Sequence, residues 1–307
     1  MKAKNHFLLC TALIVLLVLT TLVNLARYSA LVYEISESKI FGSSAESSAR
    51  FEGFLTEKIV FFESIIREVQ KHNMDDDLDS LAYYFADLAD DIDAISSIWL
   101  ATYPDGEWAQ SKFWTPPDDY VMEERPWFEV AMSTTELAIT KPYLDVADSL
   151  VVALTTQLKR DGETYAILSM DIYLETLQNI ISCLVTDDGL YSFVIDENQD
   201  IIIHPIQEYS PTQDGFTNLT ELKADYTNVM ESPEGEITTN TNIDGNPTYG
   251  IHSDIISTNW KILTCYPTSY TDEILVSNGV RAVITICVAL FLNFAGFLQF
   301  SAKKPKQ

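Results

Sequence analysis

The sequence predicts an α+β fold in which one long N-terminal helix carries two successive antiparallel-sheet modules, flanked by two membrane-spanning helices. Three observations predict it. Two uncharged apolar stretches stand near the ends of the 307-residue chain, and a three-to-four apolar repeat runs from Phe51 to Val69. Beyond Ile92 the apolar period falls to two, and it does so in two similar blocks.

The apolar stretches cover residues 7–26 and 282–300. About 20 residues at about 1.5 Å each cross a hydrocarbon core of roughly 30 Å, so both read as membrane helices. The first is longer than the apolar region of a cleaved signal peptide, about 7 to 15 residues, and no A-x-A site follows it. Lys2 and Lys4 precede the first span, and Lys303, Lys304 and Lys306 follow the second. The positive-inside rule then makes this a two-pass protein of the cell membrane, with residues 1–6 and 301–307 cytoplasmic and 28–280 outside.

All 45 acidic residues lie in that outer segment against 12 of the 19 Lys/Arg residues, a formal charge of −33 there. Solubility accounts for such acidity, and the field it creates argues against nucleic acid and anionic membrane surfaces as partners. Screening over about 8 Å at physiological salt weakens the field but leaves its sign, which disfavours polyanionic ligands. Two of the four cysteines, Cys10 and Cys287, fall in the spans, so only a Cys183–Cys265 bridge is left open. The four histidines are scattered, and no metal-ligand spacing or cofactor motif is present.

Element by element, residues 29–72 form one amphipathic stem helix whose stripe of Phe51, Phe54, Leu55, Ile59, Phe62, Ile65, Ile66 and Val69 is core or the seam of a homodimer. The acidic run from Asp75 to Asp79 starts a second helix; as a calcium loop it fails, with Ser80 at the Gly position and Ala86 at the Glu position. Strands follow at 95–102, 138–143, 150–158 and 164–173, then a helix at 174–184; this first module spans about 75–184. The second module, about 190–267, repeats the layout with strands at 191–196, 200–204, 236–242, 248–255 and 259–266 and a helical stretch at 219–230. Its Asp196-x-Asn198-x-Asp200 pattern has Ile201 and Gln207 where a calcium loop needs Gly and Glu, so it reads as a hairpin turn. Residues 268–277 form a polar helical stem feeding the second span.

Two sheet modules on a membrane-anchored helix, with VIDENQDIIIHP at 194–205 and NWKILTCYP at 259–267, resemble the double Cache sensor domains of bacterial receptors over residues 35–275. The resemblance implies PAS-like modules with the first one distal to the membrane. DYVMEERPWF, KPYLD and LSMDIYL further resemble the ligand motif of the amino-acid-binding members. That likeness implies Tyr120, Arg125 and Trp127 on a ligand carboxylate and Asp171 on its ammonium, with Tyr143 and Asp145 lining the pocket. Phe128 stands where the family motif usually has Tyr, which removes a hydroxyl expected near the ammonium.

The chemistry of these residue types agrees. Arg presents a permanently charged planar fork that meets a carboxylate through two parallel hydrogen bonds. A buried Asp accepts from an ammonium, and aromatic rings add area and a cation–π face. Read singly, Arg125-Pro126-Trp127 also suits a helix start with an ion pair to Glu123, Glu124 or Glu129. Asp171 alone suits a strand-end cap, and Tyr143 and Trp127 alone suit a core. No G-x-S-x-G, H-E-x-x-H or phosphate-binding Gly loop occurs, so the sequence points to binding and not to an enzyme. The expected function is a sensor for a small ligand, foremost an α-amino acid, signalling through the second span. The alternatives are another carboxylate or amine ligand, or a surface or adhesion protein that reuses the fold. Seven residues after the second span cannot hold an output domain, so output falls to a partner or to sequence beyond Gln307.

Overall fold

Helix α1 runs unbroken from Lys2 to His72 in the computed structural model, which describes residues 2–302. The chain divides into two units, residues 1–40 with 267–307 and residues 41–266. In the first unit the N-terminal part of α1 accompanies α6 (Thr268–Ala302), and a buried hydrogen bond of 3.1 Å joins Ser36 Oγ and Thr271 Oγ1. Both helices contain a stretch apolar enough, by length and composition, to cross a membrane. Leu8, Leu19, Val283 and Phe291 there are exposed, as lipid-facing residues would be. Met1 and residues 303–307, with Lys303, Lys304 and Lys306 of the expected tail, lie outside the described residues.

The second unit holds both sheet modules. The first contains α2 (Leu78–Asp90), β1 (Ile95–Thr102), β2 (Trp108–Gln110), α3 (Pro126–Ser133), β3 (Ala138–Ile139), β4 (Tyr143–Leu144), β5 (Leu150–Arg160), β6 (Glu163–Tyr173) and α4 (Leu174–Ser182). Its sheet runs β2-β1-β6-β5-β3, with β4 also paired to β5. The second contains β7 (Tyr191–Ile195), β8 (Ile201–Ile203), α5 (Thr227–Glu231), β9 (Thr238–Thr241), β10 (Pro247–Asp254) and β11 (Lys261–Pro267), in the order β8-β7-β11-β10-β9. The two sheets thus trace the same antiparallel circuit, and the architecture is α+β.

Alternation along each strand sends side chains to opposite faces. One face of the first sheet, with Ile98, Leu100, Leu154, Leu168 and Met170, packs in one fully buried cluster with Phe51, Leu55, Phe62, Ile65 and Val69 of α1 and Phe85 of α2. The helical stripe is therefore core within a single chain. Deleting a fully buried aromatic side chain costs about 3 to 5 kcal/mol, so Phe62→Ala should lower the unfolding free energy of the detergent-solubilised chain by that amount, read as a lower denaturant midpoint. The same cluster includes Val194, Ile203 and Ile262 of the second sheet, and small residues of α1 add polar contacts there: Ser47 Oγ lies 2.9 Å from Ser192 Oγ, which lies 2.8 Å from Thr264 Oγ1. The opposite face of the first sheet, with Trp99, Ala101, Ala153 and Ile167, lies under Trp127 and Ala131 of α3.

Several expectations need correction. The strand expected at 138–143 is split into β3 and β4, because Pro142 has no N–H for the ladder and the register slips there by one residue. The helical stretch expected at 219–230 shrinks to one 3-10 turn and α5, since Asp225 between them is extended and bridges to Thr241. The bridge left open between Cys183 and Cys265 is absent: both are free, and buried Cys265 Sγ lies 3.4 Å from Tyr226 Oη. The acidic run does start α2, with the Asp77 carboxylate accepting from the Ser80 N–H at 3.2 Å. The Asp196 turn is a hairpin turn, its Oδ1 accepting from the N–H groups of Asn198 and Asp200 at 2.9 Å each.

Candidate functional site

The face of the first sheet beneath α3 opens into a cavity of about 290 Å³, counting its mouth, lined by Trp99, Trp108, Gln110, Trp114, Tyr120, Arg125, Trp127, Tyr143, Asp145, Val146 and Asp171. Two larger openings, one of about 1140 Å³ and one of about 990 Å³ that shares Trp108, Trp114 and Tyr120 with the cavity, are lined by no Lys or Arg. Of these three, the smaller cavity combines a fixed cation with buried carboxylates.

Strand pairing places Asp171. It sits on β6 opposite Ser97 of β1 and Ala153 of β5, and its neighbours Met170 and Ile172 point into the core behind the sheet. Its carboxylate is 3% exposed and accepts three hydrogen bonds: from Ser97 Oγ at 2.8 Å, Trp99 Nε1 at 3.1 Å and Tyr143 Oη at 2.8 Å. Burial raises its pKa to about 6, against the pull of those three donors. Burial and the neighbouring Asp171 push the Tyr143 phenol well up, so Tyr143 stays a neutral donor.

Arg125 stands at the N-terminus of α3, where Pro126 occupies the first helical position and needs no N–H partner. The helix start inferred from Arg-Pro-Trp is real, but the ion pair to a neighbouring Glu is not: among the described residues Arg125 makes none. Its Nη2 donates to the Leu144 carbonyl at 2.7 Å, and its buried Nε–H has no partner. The guanidinium carbon lies 5.9 Å from the Tyr120 ring and 5.8 Å from the Tyr143 ring. Tyr143 therefore adjoins both Arg125 and Asp171.

The aromatic wall is a set of edge contacts. Trp127 and Trp99 have centroids 4.4 Å apart, and Trp114 lies 5.7 Å from Trp108 and 5.1 Å from Tyr120. Gln110 Oε1 accepts from the N–H groups of Lys112 and Trp114 at 3.2 and 3.1 Å, pinning the loop that carries Trp114. Asp145 lines the cavity but is already engaged, accepting from Ala147 N and Ser149 N at 2.8 Å each and Ser96 Oγ at 3.0 Å.

Of the seven residues singled out in the sequence, the fold brings Tyr120, Arg125, Trp127, Tyr143, Asp145 and Asp171 to one cavity. Phe128 is not among its lining; its ring lies 5.8 Å from that of Tyr103. Successive helical residues point about 100° apart, so with Trp127 turned inward Phe128 must turn aside. Sequence reading missed Trp99, Trp108, Gln110, Trp114 and Val146. A compositional signal was present, since four of the five tryptophans fall between residues 99 and 127.

The family profile of the Cache domain, double type, matches residues 29–273. The chain belongs to the Cache domain family. Among relatives, this Cache chain is 23% identical over 211 residues to the methyl-accepting chemotaxis protein PctB of Pseudomonas aeruginosa, covering 67% of this chain and 32% of that protein. It is 27% identical over 173 residues to the chemotaxis protein McpB of Bacillus subtilis, covering 55% of this chain and 23% of McpB. The Cache chain thus spans about a third or less of these relatives' length. Among solved structures, the ligand-binding domain of PctB in complex with L-Arg superposes with a TM-score of 0.63 at 17% identity, covering 77% of this chain and 97% of that one. That of the Pseudomonas fluorescens chemoreceptor CtaA with L-alanine gives 0.62 at 18%, covering 75% and 96%. These likenesses establish the fold.

Proposed function

We propose that this Cache chain is a membrane-anchored extracytoplasmic sensor that binds an α-amino acid in its first, membrane-distal module. The observation that carries the proposal is the pairing in one cavity of a guanidinium without a counter-ion, Arg125, with a buried carboxylate, Asp171. A zwitterion supplies the missing charge at both ends. Arg125, with Tyr120 and Trp127, takes the ligand carboxylate, and Asp171 takes the ammonium. Tyr143 orients Asp171 and walls the site, while Asp145, held by Ala147 N, Ser149 N and Ser96 Oγ, shapes it. The names of the similar proteins, chemotaxis receptors and domains in complex with L-Arg or L-alanine, favour the same reading.

In this reading residues 7–26 and 282–300 anchor the domain, residues 28–280 lie outside, and α6 passes the signal inward to a signalling partner. Micromolar binding is worth about 8 kcal/mol, enough to bias two states of the domain by a few kcal/mol. A thermal-shift series with the twenty amino acids tests the proposal: at least one should raise the melting temperature of the detergent-solubilised chain, and a flat series sinks it.

The raised pKa of Asp171 gives a second signature. The ammonium needs the ionised carboxylate, so affinity should be constant above about pH 7 and fall about tenfold per unit below about pH 6. Binding near pH 6 should release a proton, read by calorimetry in buffers of different ionisation enthalpy; a flat affinity from pH 5 to 8 refutes the assignment of Asp171 to the ammonium. Stability of the ligand-free fold runs the opposite way. A carboxyl raised from 3.8 to about 6 favours the folded state at low pH, and that contribution is lost as pH rises through about 6.

A further inference from the structure

The acidic hairpin turn of the second module does more than close itself. Asp196 uses Oδ1 for the turn and turns Oδ2 to Lys141 Nζ, with which it forms an ion pair; Asp200 Oδ2 lies 3.2 Å from the same nitrogen. The Asp196 side chain is only 3% exposed, and Lys141 Nζ also stands 5.7 Å from the Phe216 ring. A lysine of the first module therefore ends in a turn of the second.

Its place in the first module gives that contact meaning. On β5, Ile139 faces Leu154 but Tyr143 faces Val151, so the register slips by one residue across Lys141-Pro142. This is a β-bulge, and a one-residue slip moves every later side chain to the other face of the sheet. Ile139 packs on the core behind the sheet, and without the slip Tyr143 would point there too. With it, Tyr143 Oη reaches Asp171 and the Leu144 carbonyl accepts from Arg125. The contacts of Asp171 with Tyr143 and of Arg125 with Leu144 thus depend on the bulge.

We infer that Lys141 is a positioning residue, holding this bulge from the second module so that the shape of the cavity and the state of the Asp196–Asp200 turn are coupled. Coupling of binding is reciprocal, so a ligand that draws on Tyr143 and Leu144 must also bias the turn. The turn joins β7 to β8, β7 pairs with β11, and β11 continues into α6. A route from the cavity towards the second span is thus laid through one lysine. The ligand part of this inference rests on the amino-acid reading above, and the exchange part does not.

Hydrogen–deuterium exchange on the full chain in detergent, without ligand, tests it. Asp200→Asn, a substitution in the second module that keeps an amide oxygen for Asn218, should speed exchange of the amides at 143–145 in the first, as should Lys141→Met. Lys141→Arg, which keeps the charge, should restore protection. Native protection at 143–145 in Asp200→Asn overturns the inference. In the ligand arm, Lys141→Met should weaken amino-acid binding about five- to tenfold, a typical coupling between sites, and Lys141→Arg should recover most of it. Absence of amino-acid binding by the native chain would sink the reading of the cavity and leave the exchange result to decide the coupling. Equal binding by the native and Lys141→Met chains overturns it.

Discussion

Arg125→Ala should abolish measurable amino-acid binding while the fold persists. Truncating one partner of a buried, hydrogen-bonded charge pair costs about 2 to 5 kcal/mol, about 30-fold or more in affinity, because the other charge stays buried without its partner. The loss falls on the ligand and not on the fold, since Arg125 has no ion pair to break and its buried Nε–H is unpartnered in the free protein. The melting temperature should stay close to native, which separates lost recognition from unfolding. Arg125→Lys should fare little better than Ala, because a point charge cannot give a carboxylate two parallel hydrogen bonds. Isothermal titration of both variants reads the result, and native affinity in Arg125→Lys would refute the bidentate geometry.

Asp171→Asn should show two opposite effects. Ligand affinity falls by a similar 2 to 5 kcal/mol, roughly, as the ammonium loses its counter-charge. Ligand-free stability at pH 7 should instead rise, on the order of 1 to 3 kcal/mol, because burial raises the carboxyl to about 6 and the charged form is held there at a cost. The gain should vanish at pH 4, where the native carboxyl is already protonated. Denaturant unfolding at the two pH values measures it, and a destabilised Asp171→Asn at pH 7 would mean that Ser97, Trp99 and Tyr143 need the charge for the fold itself.

These two residues were legible in the sequence for different reasons. Asp171 lies near the end of a strand between apolar Met170 and Ile172, so a charge there stands out. Arg125 stood out through Pro126 and Trp127, which mark a helix start beside an aromatic. The stem helix and both sheets followed from periodicity over long segments. The polar part of the second sheet's seat on α1 did not, because Ser44 and Ser47, which bond to Ser253 and Ser192, stand outside the apolar repeat.

The rest of the site was hidden by geometry that sequence pattern does not carry. Strand β2 is three residues long, too short for alternation to be read, yet it brings Trp108 and Gln110 to the cavity. Trp114 sits in a loop and arrives there through the backbone bonds to Gln110. The prediction that Phe128 faces the ligand came from its neighbourhood in the motif, whereas helical rotation sets Trp127 and Phe128 in different directions. The bulge at Lys141-Pro142 shows only in the register of β3 and β4 on β5. It decides where Tyr143 points.

Isothermal titration of the detergent-solubilised native chain with the twenty amino acids, repeated on Arg125→Ala, bears most directly on the central claim. The account predicts one-to-one binding of at least one amino acid by the native chain and none by the variant. Heat-silent titrations throughout, or binding that survives the loss of Arg125, would contradict it.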